Sequence, residues 1–282
     1  VILTDRPVAI TGASSGIGAA TALACARAGM HVAIMARRSD RLDAVATKIR
    51  REVPAARVVT FTGSVDSDDD AAAFVAHAER LLGPLYAVFA NAGYGIEAPA
   101  HAMPRDDVRS MLETNFYGSL RLASAVVAGM IERRSGHILF CSSCLSKLGT
   151  PYYAAYSASK ACQDHFARAM RVELAPMGVA VSSVHPIGTR TEFFETAAAH
   201  SPGGTRLLDR GSSRFLQPPE RVARAVVRRL QSGRGGEIWT SAAARLGFAA
   251  AGALPGLTDA LLARALRARQ NDNSTKASPT RS

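Results

Sequence analysis

Val8-Ala9-Ile10-Thr11-Gly12-Ala13-Ser14-Ser15-Gly16-Ile17-Gly18 decides how the rest of the chain is read. A short apolar run reads as a strand. A Gly/Ser turn follows, and Gly16 opens a stretch with helical spacing that reaches Ala28, where Gly29 stops it. Glycines in such a turn let backbone N–H groups approach a pyrophosphate, and the helix N-terminus adds its positive end. The spacing is G-x-x-x-G-x-G. Without its flanking strand and helix, it would serve equally as a plain tight turn.

The same alternation continues outward from this turn. His31–Met35, Arg57–Phe61, Leu85–Ala90, His137–Cys141, Val179–Val184 and Glu237–Thr240 read as further strands. Between them lie helical stretches: one after Ser39, placed to cap it, one after the acidic cluster Asp66–Asp70, a long one over Asp106–Glu132 and another over Tyr153–Ala175. Short apolar strands separated by helical crossovers predict an α/β fold: a doubly wound, Rossmann-type parallel sheet of about seven strands with helices on both faces. Residues 1–245 form that domain. The stretch 188–219 breaks the alternation, carries Phe193, Phe194, Leu207, Leu208, Phe215 and Leu216, and reads as a lid over a site.

At 282 residues the chain is long enough for one large core or two small ones, and 48% hydrophobic with 20% charged residues is ordinary for a globular protein. No run of 18 apolar residues occurs, and the first residues lack a signal peptide's basic start and apolar run, so a cytoplasmic protein is expected. The formal charge of +11 attracts anions, but the arginines are scattered and no nucleic-acid-binding signature appears. Nucleic acid is therefore not expected as a partner. Cys25, Cys141, Cys144 and Cys162 are few, and no second pair or histidine cluster completes a metal site; they read as packing thiols, with no metal.

Two features point to chemistry. The second strand ends in Ala36-Arg37-Arg38, where NAD-preferring folds carry an acid for the ribose 2′-hydroxyl. A guanidinium there can fork onto a 2′-phosphate, which favours NADP(H). Further along, Tyr156-Ser157-Ala158-Ser159-Lys160 opens a long helix with Tyr and Lys four residues apart on one face. An ammonium beside the phenol is expected to lower its pKa and ready it for proton transfer to a carbonyl oxygen. Ser143 stands at a strand end, where open α/β sheets place ligands.

Together these residues resemble the short-chain dehydrogenase/reductase family, in its ordinary single-domain form, over roughly residues 5–240. The resemblance rests on Thr11–Gly18, on Asn91-Ala92-Gly93 after the fourth strand, on Asn115, on Ser143 thirteen residues before Tyr156, on Lys160, and on Pro186–Thr191. It implies a catalytic set of Asn115, Ser143, Tyr156 and Lys160. It implies a cofactor site on Gly12, Ser14, Ser15, Gly16, Ile17, Gly18, Arg37, Arg38, Ser64, Val65, Asn91, Ala92, Gly93, Tyr156, Lys160, Pro186, Gly188, Thr189 and Thr191. In this implied scheme NADPH gives hydride to a carbonyl, Tyr156 the proton, Ser143 orients the substrate, Lys160 binds the nicotinamide ribose, and Asn115 holds a relay water. Three positions depart from the family pattern: Ser64 for its usual Asp, Ala90 for an Asn, and Ile187 for a Gly.

Tyr94, Leu145, Tyr153, Ile187 and Phe193 are candidate substrate contacts, which suits a hydrophobic carbonyl or alcohol. A reductase of 3-oxoacyl thioesters, a hydroxysteroid or lipid dehydrogenase, and a non-catalytic NADPH sensor remain as alternatives. His185 reads as a satisfied strand-end histidine. The family resemblance implies a homodimer or homotetramer. Past the domain, 246–270 reads as an apolar, then basic amphipathic, helical extension that could pack on protein or make peripheral membrane contact. Residues 271–282 read as a disordered tail.

Overall fold

The computed structural model describes residues 1–193 and 216–277, with side chains as far as Ala268. Seven strands form one parallel sheet: β1 Pro7–Thr11, β2 His31–Ala36, β3 Val58–Thr62, β4 Ala87–Ala90, β5 Gly136–Cys141, β6 Val179–His185 and β7 Gly236–Trp239, in the order β3-β2-β1-β4-β5-β6-β7. The central strands are buried throughout, so they read as continuous apolar runs rather than alternating ones. Register is fixed by pairs such as Ile10 with Ile34 on one side and Ile10 with Phe89 on the other.

Helices α1 (Gly16–Arg27), α2 (Ser39–Glu52) and α7 (Pro219–Ser232) cover one face, burying Ile10, Ile34, Leu42, Ile49, Val226 and Leu230. On the other face α3 (Asp68–Leu82), α5 (Gly118–Glu132) and α6 (Ala154–Leu174) enclose Phe74, Val88, Leu122, Met130 and Phe140. α8 (Ala242–Ala253) and α9 (Pro255–Ala277) follow the last strand. The chain runs outward from β1 to β3, then returns to place β4 on β1's other side. The strand ends diverge at that reversal and open a crevice.

Several expectations change. The helix expected over Asp106–Glu132 is α4 (Arg105–Leu112) and α5 joined by a π-helical turn, Glu113–Tyr117. Ser39 does not cap α2; it is the first helical residue and Arg38 takes the cap position. α9 runs to Ala277, into the stretch expected to be a disordered tail. Nor is α9 amphipathic: its leucines and arginines share faces, since Arg264 stands three residues after Leu261. Residues 194–215, most of the expected lid, lie outside the described residues.

Candidate active site

The crevice is a cavity of about 580 Å³ that runs from Arg37 and Arg38, past the start of α1, to Tyr156 and Lys160. Its floor is the turn after β1. Gly12 sits at φ +64°, and a Cβ there would stand 2.7 Å from the Ala92 Cα; one on Gly18 would stand 2.4 Å from the Gly12 carbonyl oxygen. The two strand-end turns therefore interlock only because these side chains are missing. Asn91 fastens them: its Nδ2 donates to the Thr11 and Gly12 carbonyls at 3.0 and 3.2 Å, and its N–H to Thr11 Oγ1 at 3.1 Å. Its amide thus shapes the floor. Ser15 makes no side-chain cap on α1, so its hydroxyl leaves the first-turn N–H groups free where the helix meets the cavity. That is a donor set for a pyrophosphate. Arg38 Nη2 reaches Ser14 Oγ, Ser15 Oγ and Glu192 Oε2 at 3.1, 3.2 and 2.9 Å, and Arg41 pairs with the same Glu192. The residues present thus fit a dinucleotide, with Arg37 and Arg38 at one end of the cavity.

At the other end Ser143 stands just past β5. Its hydroxyl hydrogen-bonds the Tyr156 phenol and accepts from Leu145 N at 3.1 Å. Ser142, its neighbour, is turned away and donates to the Lys160 carbonyl at 3.0 Å, so Ser143 is the serine that meets the tyrosine. Burial pushes the Tyr156 phenol well above the usual range, and the Ser143 hydrogen bond offsets only part of that. The expected lowering of this phenol by Lys160 is therefore not found in the structure. Lys160 Nζ lies 5.9 Å from the Tyr156 ring centroid and spends its charge on the Cys141 carbonyl at 2.7 Å and Gln163 Oε1 at 3.4 Å. Burial brings the ammonium itself down to about 8.

Asn115 is fully buried in the π-helical turn. Its side chain accepts from Tyr94 N, and donates to the Tyr94 carbonyl and Ser159 Oγ, all at 2.9 Å. Its carbonyl accepts from Ser119 Oγ and from Gln163 Nε2 at 2.8 and 3.2 Å. Gln163 thus bridges Lys160 to Asn115, a link the sequence reading lacked. The wider helical turn sets that carbonyl towards α6, as π-turns at sites commonly do.

Of the expected site residues, Gly18 and Asn115 lie behind the cavity wall and the others line it. Ser64 and Val65 are among them; the Ser64 N–H donates to Asp70 Oδ2 at 2.8 Å. Pro186–Thr191 forms a strap clamped by Gln217, whose Nε2 donates to Thr189 Oγ1 at 3.1 Å while its backbone pairs with Gly188 and Arg190. Gln217 also escaped the sequence reading, because it arrives from beyond the long 194–215 stretch. Tyr94, Leu145 and Phe193 pack on a cluster of Ile96, Met111, Tyr153 and Tyr156, and the Phe193 ring lies 5.1 Å from that of Tyr156. Tyr153 donates to the buried Glu97 at 3.0 Å.

Beneath Ser143, His185 Nδ1 meets the Ser143 carbonyl at 3.1 Å and stacks on Trp239. Asp164, His185 and Glu237 come together there. Lys147 Nζ sits between the two carboxylates, at 2.6 and 2.7 Å, and supplies the positive charge a metal would otherwise bring. Cys25, Cys141 and Cys144 are buried, their thiols pushed up to about 12, 11 and 11 by burial; Cys162 is exposed.

Residues 6–201 match the family model for short chain dehydrogenases. The chain belongs to that family. It is similar to 3-ketodihydrosphingosine reductase of Bos taurus, 31% identical over 229 residues, which is 80% of this chain and 68% of the bovine one. The alcohol dehydrogenase of Thermococcus sibiricus, solved with 5-hydroxy-NADP, superposes at TM-score 0.72 with 26% identity, over 83% of this chain and 94% of that one. Levodione reductase superposes at TM-score 0.76 and 24% identity, over 84% and 96% of the two chains, a likeness of fold. As a short-chain dehydrogenase the chain is an NAD(P)H-using oxidoreductase acting on CH–OH donors.

Proposed function

We propose that this short-chain dehydrogenase is an NADPH-dependent ketone reductase for a hydrophobic substrate. The Ser143–Tyr156–Lys160 arrangement at one end of a cavity, with Arg37 and Arg38 at the other, is the observation that carries the reading. The turn after β1 and the first turn of α1 would hold the pyrophosphate, and Arg37 and Arg38 the 2′-phosphate, with Glu192 giving up Arg38 to it. When bound, the dinucleotide supplies a hydride to the carbonyl carbon.

The chain's own groups manage the oxygen. Ser143 donates a hydrogen bond to the carbonyl and polarises it. Tyr156, held protonated by its burial, donates its phenolic proton, so the oxygen leaves as a hydroxyl and a phenolate remains. The Lys160 ammonium favours that phenolate. Gln163, itself held by the Asn115 carbonyl, keeps Lys160 in place. Leu145, Ile187, Tyr94 and Phe193 make the substrate wall apolar, which excludes water from the reacting carbon.

A lipid ketone is the preferred substrate class, consistent with the apolar wall and with the activity for which the bovine relative is named. The test is NADPH and NADH oxidation against small ketones, aryl ketones, steroids, long-chain 3-ketones and 3-oxoacyl thioesters. Turnover of long-chain ketones with NADPH is expected. Arg38→Ala should weaken NADPH about tenfold or more while leaving NADH nearly unchanged. A preference for NADH in the wild type would defeat the cofactor assignment.

A further inference from the structure

α8 and α9 form an apolar elbow that the described protein covers only along one side of α8. From Ala242 to Ala263 the sequence holds only two charged residues, Arg245 and Asp259, and none of these 22 positions is buried. Leu246 is 71% exposed, Leu254 55%, Leu257 58% and Leu261 58%. A helix pair that is apolar on most sides and leaves most of them exposed lacks its medium.

One side of α8 is accounted for. Phe248 lies 6.0 Å from Trp239, ring to ring, and a Cβ on Gly252, one turn on, would touch the Lys147 carbonyl at 3.4 Å. This roots α8 on the 3₁₀ turn Cys144–Lys147, the same turn that brings Leu145 to the cavity wall. Leu246 projects from the opposite side of the helix, and exposed Leu254 follows its last turn at the bend. α9 then departs at 108°, carrying Leu257 and Leu261 outward. Neither helix is long and apolar enough by itself to cross a bilayer; the apolar arms, Ala242–Ala253 and 255–263, are about 18 Å and about 14 Å long, each on the scale of one leaflet of a ~30 Å hydrocarbon core. On α9, exposed Arg264 and Arg267 flank Leu257 and Leu261, where guanidinium groups would meet anionic headgroups while their stems stay with the acyl chains. Asp259 lies on the other side of α9 from Leu257 and Leu261.

We propose that the α8–α9 elbow docks the protein on one leaflet of an anionic lipid bilayer. The combination selects a membrane: an apolar surface spread around two helices, with cations at its margins and no acid among its exposed leucines. Lipid binding is read without turnover, so its failure and the failure of the ketone-reductase reading are separate results.

The experiment is density-gradient flotation of the full chain with vesicles of phosphatidylcholine, with and without phosphatidylglycerol. The wild type should float with the anionic vesicles, at least about tenfold better than with the neutral ones. Leu254→Glu with Leu257→Glu should abolish flotation, and Arg264→Glu with Arg267→Glu should weaken it about tenfold or more. These side chains are exposed, so thermal unfolding should not change, and that control shows that the variants are folded. Wild-type protein that stays in the dense fractions with both vesicle types would overturn the proposal. So would flotation indifferent to both pairs of changes, or a soluble dimer split by the leucine changes, which would assign the elbow to a second copy of the chain.

Discussion

At the scale of single residues, the site turns on how burial divides charge between Tyr156 and Lys160. Low dielectric penalises both the phenolate and the ammonium. In the free enzyme the tyrosine is therefore neutral, as a proton donor must be, and the lysine titrates near 8. A depressed lysine pKa means that the cation is present below about pH 8 and lost above it. Since kcat/KM follows ionisations of the free enzyme, that for ketone reduction should decline as pH rises through about 8, because the phenolate left after proton transfer loses its counter-charge. A profile flat from pH 7 to 10 would show that Lys160 does not support that phenolate. The pairing of Tyr156 with Lys160 was legible as an i, i+4 spacing. Its electrostatics were not: spacing shows that two groups are near, but not that the Cys141 carbonyl and Gln163 take the ammonium first.

At the scale of elements, strands were legible because a parallel sheet covered on both faces turns each one into an unbroken apolar run. The turn after β1 was legible from its glycines, and the structure shows what each prevents. Gly12→Ala would force an L side chain into φ +64° and into the Ala92 backbone. It should cost about 1–3 kcal/mol of stability and loosen dinucleotide binding, read by thermal unfolding and by NADPH fluorescence titration. Unchanged unfolding and binding would mean that the β1 and β4 turns do not interlock as described. The π-helical turn at Glu113–Tyr117 was not legible. Local propensity favours an ordinary helix there, and the partners of the Asn115 and Tyr94 groups come from α6 and the β4 turn, far away in sequence. The amphipathic reading of 246–270 failed for a related reason. Leucines and arginines close in sequence were taken to separate onto two faces, and the helical positions do not separate them.

At the scale of the whole molecule, polar groups buried in the sheet make stability depend on pH. His137 is fully buried in β5; Nε2 meets Ser182 Oγ at 2.8 Å, and Nδ1 has no partner among the described residues. Burial, with Arg229 nearby, lowers its pKa to about 3. The unfolded chain takes up a proton near 6.5 that the folded one refuses, so the contribution is complete above 6.5 and is lost as pH falls towards 3. Between pH 7 and pH 5 the fold should lose about 2 kcal/mol from this residue, and His137→Gln should flatten that slope in urea titrations. An equal slope in both proteins would remove His137 as the cause. Burial of this kind was invisible in the sequence, where His137 is simply the first residue of an apolar run. The sheet and its crevice, by contrast, follow from the alternation of strands and helices together with the reversal between β3 and β4.

The most direct test of the catalytic reading pairs turnover with binding in Tyr156→Phe. NADPH oxidation with a long-chain ketone should fall by about 10²–10⁴-fold, while NADPH affinity by fluorescence titration stays within about twofold of wild type. Retained turnover in a variant that still binds NADPH would show that the proton does not come from Tyr156, and the reaction assigned to this cavity would not stand.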